Sequence, residues 1–129
     1  MIRRITSGAV EDSGVLDLVW HVFSEFEAPE YSKEGIQEFK EFIEANAVKK
    51  RMRRNELFLW GYWEDGKIVG MIATKQPCHI SLLFVDRKYH RRGIAKKLYS
   101  TVLDYYIENS VCKEMTVNSS PYAIEVYHR

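Results

Sequence analysis

The residues best placed to do chemistry sit between a strongly apolar run and an amphipathic one, in Ile80 to Tyr106, ISLLFVDRKYHRRGIAKKLYSTVLDYY. Gly93 and Ala95 stand at the start of the amphipathic stretch, directly after the basic loop that ends in His90-Arg91-Arg92. The first turn of a helix carries N–H groups without intrahelical acceptors and the positive end of the macrodipole. Small residues there let an anionic phosphate approach the main chain. Arg87, Arg91, Lys96 and Lys97 add positive charge around the same point. Neither GxxxxGK[ST] nor GxGxxG occurs, so the loop is not a Walker loop or a dinucleotide fingerprint. Taken alone, it also reads as a solvated basic turn. His79, just upstream, brings an imidazole, the side chain whose ordinary titration range suits proton transfer near neutrality; its other reading is a hydrogen-bonded strand histidine.

The elements that must position these groups follow from periodicity. Ile80, Leu82 and Phe84 alternate with Ser81, Leu83 and Val85, a pattern that predicts a central strand buried on both faces. From Ile94, the residues Ala95, Leu98, Val102, Tyr105 and Tyr106 recur at helical spacing as far as Asn109. Upstream, Ile2 to Ile5 predicts a short strand. Asp12 or Ser13 caps a helix to about Glu25, a loop runs to Tyr31, and Ser32 caps a second helix containing Ile36, Phe39, Phe42 and Ile43. The basic run Lys49 to Arg54 reads as a solvated helix end or connector. Leu57 to Trp63 and Lys67 to Thr74 predict two strands joined at Asp65-Gly66. Glu114 to Asn118 predicts a last strand, and Ser119 or Ser120 a last helix with Pro121 in its first turn. The order β-α-α-β-β-β-α-β-α describes one mixed α/β (α+β) domain over residues 1–129. The strands flanking the long helix are parallel and splay apart at one end.

Composition sets outer bounds. With 46% hydrophobic and 29% charged residues in 129, the chain suits a single globular domain. It shows no signal-peptide pattern and no membrane-length window, which leads to the expectation of a cytoplasmic protein without a membrane partner. Cys78 and Cys112 share no CxxC spacing and have no histidine cluster beside them. They are expected to be reduced, buried thiols, with no metal site. Net charge is only +1, against a dedicated nucleic-acid binder. Residues 1–47 hold four basic and ten acidic residues, net −6, whereas residues 48–129 hold fifteen and eight, net +7. That asymmetry suits a C-terminal half holding a polyanion and an N-terminal half offering an acidic surface.

His90-Arg91-Arg92-Gly93-Ile94-Ala95 resembles the pyrophosphate-binding signature of the GNAT N-acetyltransferase superfamily, in which Gln or Arg is followed by two residues, Gly, one residue, and Gly or Ala. His90 replaces the usual Gln or Arg. Asn118-Ser119-Ser120-Pro121-Tyr122-Ala123-Ile124-Glu125-Val126-Tyr127 resembles a second recurring segment, matching at Asn118, Ala123 and Tyr127, and the order of elements resembles the GNAT fold over the whole chain. The chain stops at Arg129, where the family continues with two more strands. The expectation is either a shortened chain or an open sheet edge that would favour pairing, as in a homodimer.

The resemblance implies a transferase: an N-acetyltransferase that passes the acetyl group of acetyl-CoA directly to a primary amine in a ternary complex. Its alternative is a non-catalytic acyl-CoA-binding or regulatory module. The implied coenzyme A contacts are Leu83, Phe84 and Val85 at the strand end, Arg91, Arg92, Gly93, Ile94, Ala95 and Lys96 in the loop, and Asn118. Tyr127 is implied as general acid to the departing thiolate and His79 as candidate base. Glu25, Phe26, Glu27 and Tyr31 are implied to line the pocket for a small-molecule or peptide amine.

Overall fold

Asp65 and Gly66 both have positive φ, 53° and 77°, which is the backbone of a two-residue type I′ turn. They join strands β2 (Leu57–Glu64) and β3 (Lys67–Lys75) of a computed structural model that describes residues 1–75 and 78–117. Strand β1 (Ile2–Ile5) pairs antiparallel with β2, β4 (His79–Val85) antiparallel with β3, and β5 (Thr116–Val117) parallel with β4. The sheet order β1-β2-β3-β4-β5 puts β3, rather than the expected β4, in the middle.

The helices divide between the two faces. Helix α5 (Ile94–Glu108) buries Ile94, Leu98, Val102 and Tyr106. It lies close to the sheet because β3 carries Gly70 beneath it. A Cβ at Gly70 would stand 3.0 Å from Ile94 Cγ2 and 3.4 Å from Leu98 Cδ1. Deep in this layer the Thr74 and Tyr106 hydroxyls share a 2.6 Å hydrogen bond, and burial pushes the Tyr106 phenol pKa up.

The other face carries α1 (Val10–Ser13), α2 (Val15–Phe26), α3 (Lys33–Phe42) and α4 (Ala45–Arg53). The helix expected from Asp12 or Ser13 to about Glu25 is α2, with Ser13 Oγ accepting from Val15 N–H at 3.1 Å; the short α1 before it was not expected, and Gly14, φ 78°, separates the two. Ser32 caps α3 as expected, accepting from Gly35 N–H at 3.0 Å. Phe39 of α3 stacks on Phe23 of α2 at 3.9 Å between centroids and meets Phe84 of β4 edge-on at 6.3 Å, tying these helices to the strand that matters most. The basic run closes α4. Lys49 pairs with Glu11, whose carboxyl pKa that hydrogen bond and charge lower, and the Arg51 guanidinium covers the Phe42 ring at 4.1 Å.

The cysteines correct the expectation of reduced thiols: Cys78 and Cys112 are joined in a disulfide, with Cα atoms 6.2 Å apart. Sequence spacing concealed it, because α5 runs back over the sheet and returns the chain beside its starting point before β5 forms. No helix among the described residues is long and apolar enough to cross a membrane. The expected last helix lies outside the described residues.

Candidate functional site

Pairing decides which backbone groups of β4 are available. Asp86 N–H donates to Val69 O at 2.8 Å, and the register sets Val85 opposite Gly70, Phe84 opposite Met71 and Leu83 opposite Ile72. Antiparallel ladders alternate, so Phe84 turns its N–H and C=O toward β3 while Leu83 and Val85 turn theirs to the far edge. Among the described residues, β5 meets that edge only at His79 and Ile80. Ser81 is the extra residue of a bulge, since Ala73 faces Leu82 and Thr74 faces Ile80. From Ser81 onward that edge has no partner among the described residues, and the expected splay beyond Val117 lies outside them.

The loop after β4 is built by local bonds. Asp86 Oδ1 accepts from Lys88 N–H at 3.0 Å and starts the 3-10 turn Arg87–Tyr89. Arg91 and Gly93 then take left-handed backbones, φ 66° and 75°, on either side of Arg92. Alternating handedness of this kind turns successive N–H groups to one side. Among the described residues, no N–H from Arg91 to Lys96 has a protein acceptor; Lys97 N–H is the next to bond, to Gly93 O at 3.0 Å. A Cβ on Gly93 would meet nothing within 4 Å, so the position demands glycine's backbone freedom rather than space.

The side chains around this row have separate tasks. Ile94 is buried against Gly70 and anchors the helix start, while Ala95 is half-buried. Arg92 Nη2 donates to Glu64 Oε1 at 2.6 Å and its guanidinium lies 5.2 Å from the Tyr89 ring centroid, so it staples the loop to the end of β2. Its main-chain N–H belongs to the open row. Arg87, Lys88, Arg91, Lys96 and Lys97 are exposed and, among the described residues, join no ion pair.

His90 was legible only as a departure from a pattern. Its Nε2–H donates to Val85 O at 2.7 Å and its ring stacks on Phe26 at 5.4 Å and 29°. Val85 therefore offers its N–H to the open edge, with its carbonyl already engaged. Phe26 ends α2, and Glu27 after it is buried with 2% exposure, which is rare for a carboxylate outside functional or paired settings. Tyr31 meets Phe23 edge-on at 5.3 Å. Glu25 stays on the surface, its carboxylate 4.0 Å from His21 Nε2. Of the four residues expected to line an acceptor pocket, Phe26 thus touches the loop through His90, and Glu27 and Tyr31 follow it around the 3-10 turn Ala28–Glu30.

His79 lies at the other end of β4, about 20 Å from Val85 at the usual strand rise. Its Nδ1 is 2.6 Å from Thr116 Oγ1, and that hydroxyl donates to Cys78 O at 3.4 Å. Oγ1 then accepts from Nδ1–H, and the lone pair of the neutral ring rests on Nε2. Asn118 and Tyr127 lie outside the described residues.

Comparison with known proteins bears on this geometry. The acetyltransferase (GNAT) domain family matches residues 27–129, and the chain belongs to that family of acyltransferases. The fold is similar to that of the PaiA N-acetyltransferase of Thermoplasma acidophilum, solved with coenzyme A (TM-score 0.72, 17% identity, 86% of this chain and 74% of that one). It is also similar to a GCN5-related N-acetyltransferase of Rhodopseudomonas palustris (TM-score 0.73, 19% identity, 99% and 78%). A third similar structure is an aminoglycoside acetyltransferase from an uncultured soil metagenomic sample, solved with sisomicin (TM-score 0.68, 21% identity, 93% and 77%). No curated protein matches the chain.

Proposed function

We propose that this protein is an N-acetyltransferase that takes the acetyl group of acetyl-CoA and delivers it directly to a primary amine held in the same complex. The observation that carries this reading is the row of N–H groups from Arg91 to Lys96, without protein acceptors among the described residues, beside the open edge of β4. A diphosphate fits that row. The donors converge at the N-terminus of a 15-residue helix, nothing crowds Gly93, and unpaired cations surround the loop. Leu83, with both backbone groups outward, and Val85, with its N–H outward, suit the amides of a pantetheine arm. Asn118 is the remaining contact that the family resemblance implies for that arm. Phe84 supports the strand from the core, and Ile94, Ala95 and Lys96 contribute main-chain donors.

Coenzyme A, when bound, supplies an acetyl group activated as a thioester. The chain supplies the rest. Outward N–H groups on β4 stabilise negative charge on a carbonyl oxygen, and losing one such donor typically slows turnover about a hundred- to a thousandfold. The amine proton travels through water to His79 Nε2, which Thr116 holds in the accepting tautomer at the far end of β4. Tyr127 holds a proton for the leaving sulfur, an effect worth roughly a hundred- to ten-thousandfold. Glu27, buried in the turn that Phe26 and Tyr31 flank, with Glu25 exposed just before it, suits a cationic amine. An amine-bearing acceptor is also what the sisomicin-bound relative holds.

Calorimetric titration with coenzyme A tests the reading directly: heat and thermal protection are expected, and their absence in folded protein would refute it. Thiol release from acetyl-CoA across a panel of amines then separates an enzyme from a binding module. Tyr127→Phe is expected to slow thiol release by at least about a hundredfold with little change in coenzyme A affinity. Turnover equal to wild type would remove Tyr127 from the mechanism.

A further inference from the structure

His90 occupies the first position of the phosphate loop, yet its side chain points to neither solvent nor the row of free N–H groups. It reaches back to the Val85 carbonyl at 2.7 Å and lies flat on Phe26 at 5.4 Å. Val85 is the last residue of β4 and Phe26 the last of α2, so one imidazole joins the phosphate loop, the end of the open strand edge and the start of the acidic turn. A carbonyl can only accept, so Nε2 carries the hydrogen of this bond. The stack is geometrically separate from the hydrogen bond and can be removed without it.

We propose that His90 is a positioning residue that couples the two halves of the site: filling the phosphate loop fixes the His90 ring, which through Phe26 orders the turn at residues 26–31 that carries Glu27. This rests on the coenzyme A reading above. The physical basis is shared ordering. The main-chain N–H groups from Arg91 to Gly93 have no acceptor among the described residues and the loop is tied down chiefly by the Arg92 side chain, whereas a bound diphosphate would fix its main chain and hence the residue at its root. Once the ring is fixed, the Phe26 contact is formed at lower entropic cost, and an amine finds its pocket already assembled. The usual Gln at this position can donate to Val85 O but has no ring to stack, so His90 separates the two functions in a single substitution.

The test is hydrogen exchange of residues 26–31 with and without coenzyme A at concentrations that saturate each protein. In wild type, coenzyme A is expected to slow exchange in that segment about two- to tenfold, the size of an aromatic contact. His90→Gln keeps the donor and is expected to retain protection at Arg91 to Lys96 while losing it at 26–31. Phe26→Leu keeps His90 and the hydrogen bond and is expected to give the same split. Once an amine substrate is known, both variants should raise its KM more than they lower kcat. Protection at 26–31 that persists in His90→Gln, or a wild type that binds coenzyme A without protecting 26–31, overturns the coupling. A wild type that binds no coenzyme A fails at the prior step, and its unfilled loop overturns the coupling with it.

Discussion

The two ends of β4 are built on opposite principles. At its start the chain is cross-linked: Cys78 is bridged to Cys112, Cys78 O accepts from Thr116 N–H at 2.8 Å, and His79 Nδ1 is bonded to Thr116. At its finish the main chain is open among the described residues, from the outward N–H of Val85 through the row at Arg91 to Lys96. A parallel pair closed at one end and open at the other is a wedge. In the proposed reading the closed end sets the angle and the open end receives the ligand. Cys78 holds a left-handed backbone, φ 81°, that costs a non-glycine residue free energy, and the cross-links around it are what over-determine it. Gly93 meets the same demand at the open end without side-chain strain.

The contrast can be broken most severely at the closed end. Cys112→Ser opens a cross-link spanning 34 residues that include β4, the loop and α5, and is expected to lower unfolding free energy by about 2–4 kcal/mol. Denaturant melts of the oxidised protein would show it, and dithiothreitol should bring wild type to the same midpoint. Equal midpoints for oxidised wild type and variant would remove the clamp. Gly93→Val attacks the open end. A β-branched residue at φ 75° costs about 1–3 kcal/mol, and since nothing packs at that position the loop is expected to refold locally. Most of the loss should therefore appear as coenzyme A affinity, roughly tenfold or more, with a small change in melting. The smallest effect is expected for Thr116→Val, which removes the His79 bond at about 1 kcal/mol of stability. It should slow thiol release through the misset tautomer while leaving coenzyme A affinity intact. A variant that loses affinity instead would place Thr116 at the wrong end of the wedge.

Much of this arrangement could be read without coordinates. Ser32, Asp65-Gly66 and the alternation of Ile80 to Val85 each express a local preference strong enough to prevail: a cap, a turn that needs two left-handed residues, a strand covered on both sides. The turn into α5 belongs with them, because a glycine before a helix followed by a small residue is a local device. Helix α1 was missed because four residues are too few to show a helical period, and only Val10 among them is buried.

What the chain alone determined, then, is the list of elements and the open amides at Gly93, since capping, turn chemistry and periodicity act over a few neighbouring residues. Tertiary structure decided the partnerships between residues far apart: Cys78 with Cys112, His79 with Thr116, Arg92 with Glu64, and His90 with Phe26. Each of these depends on how α5 lies across Gly70 and how α2 ends beside the loop. Distances of that kind arise from the packing of whole layers, and no short window of residues contains them.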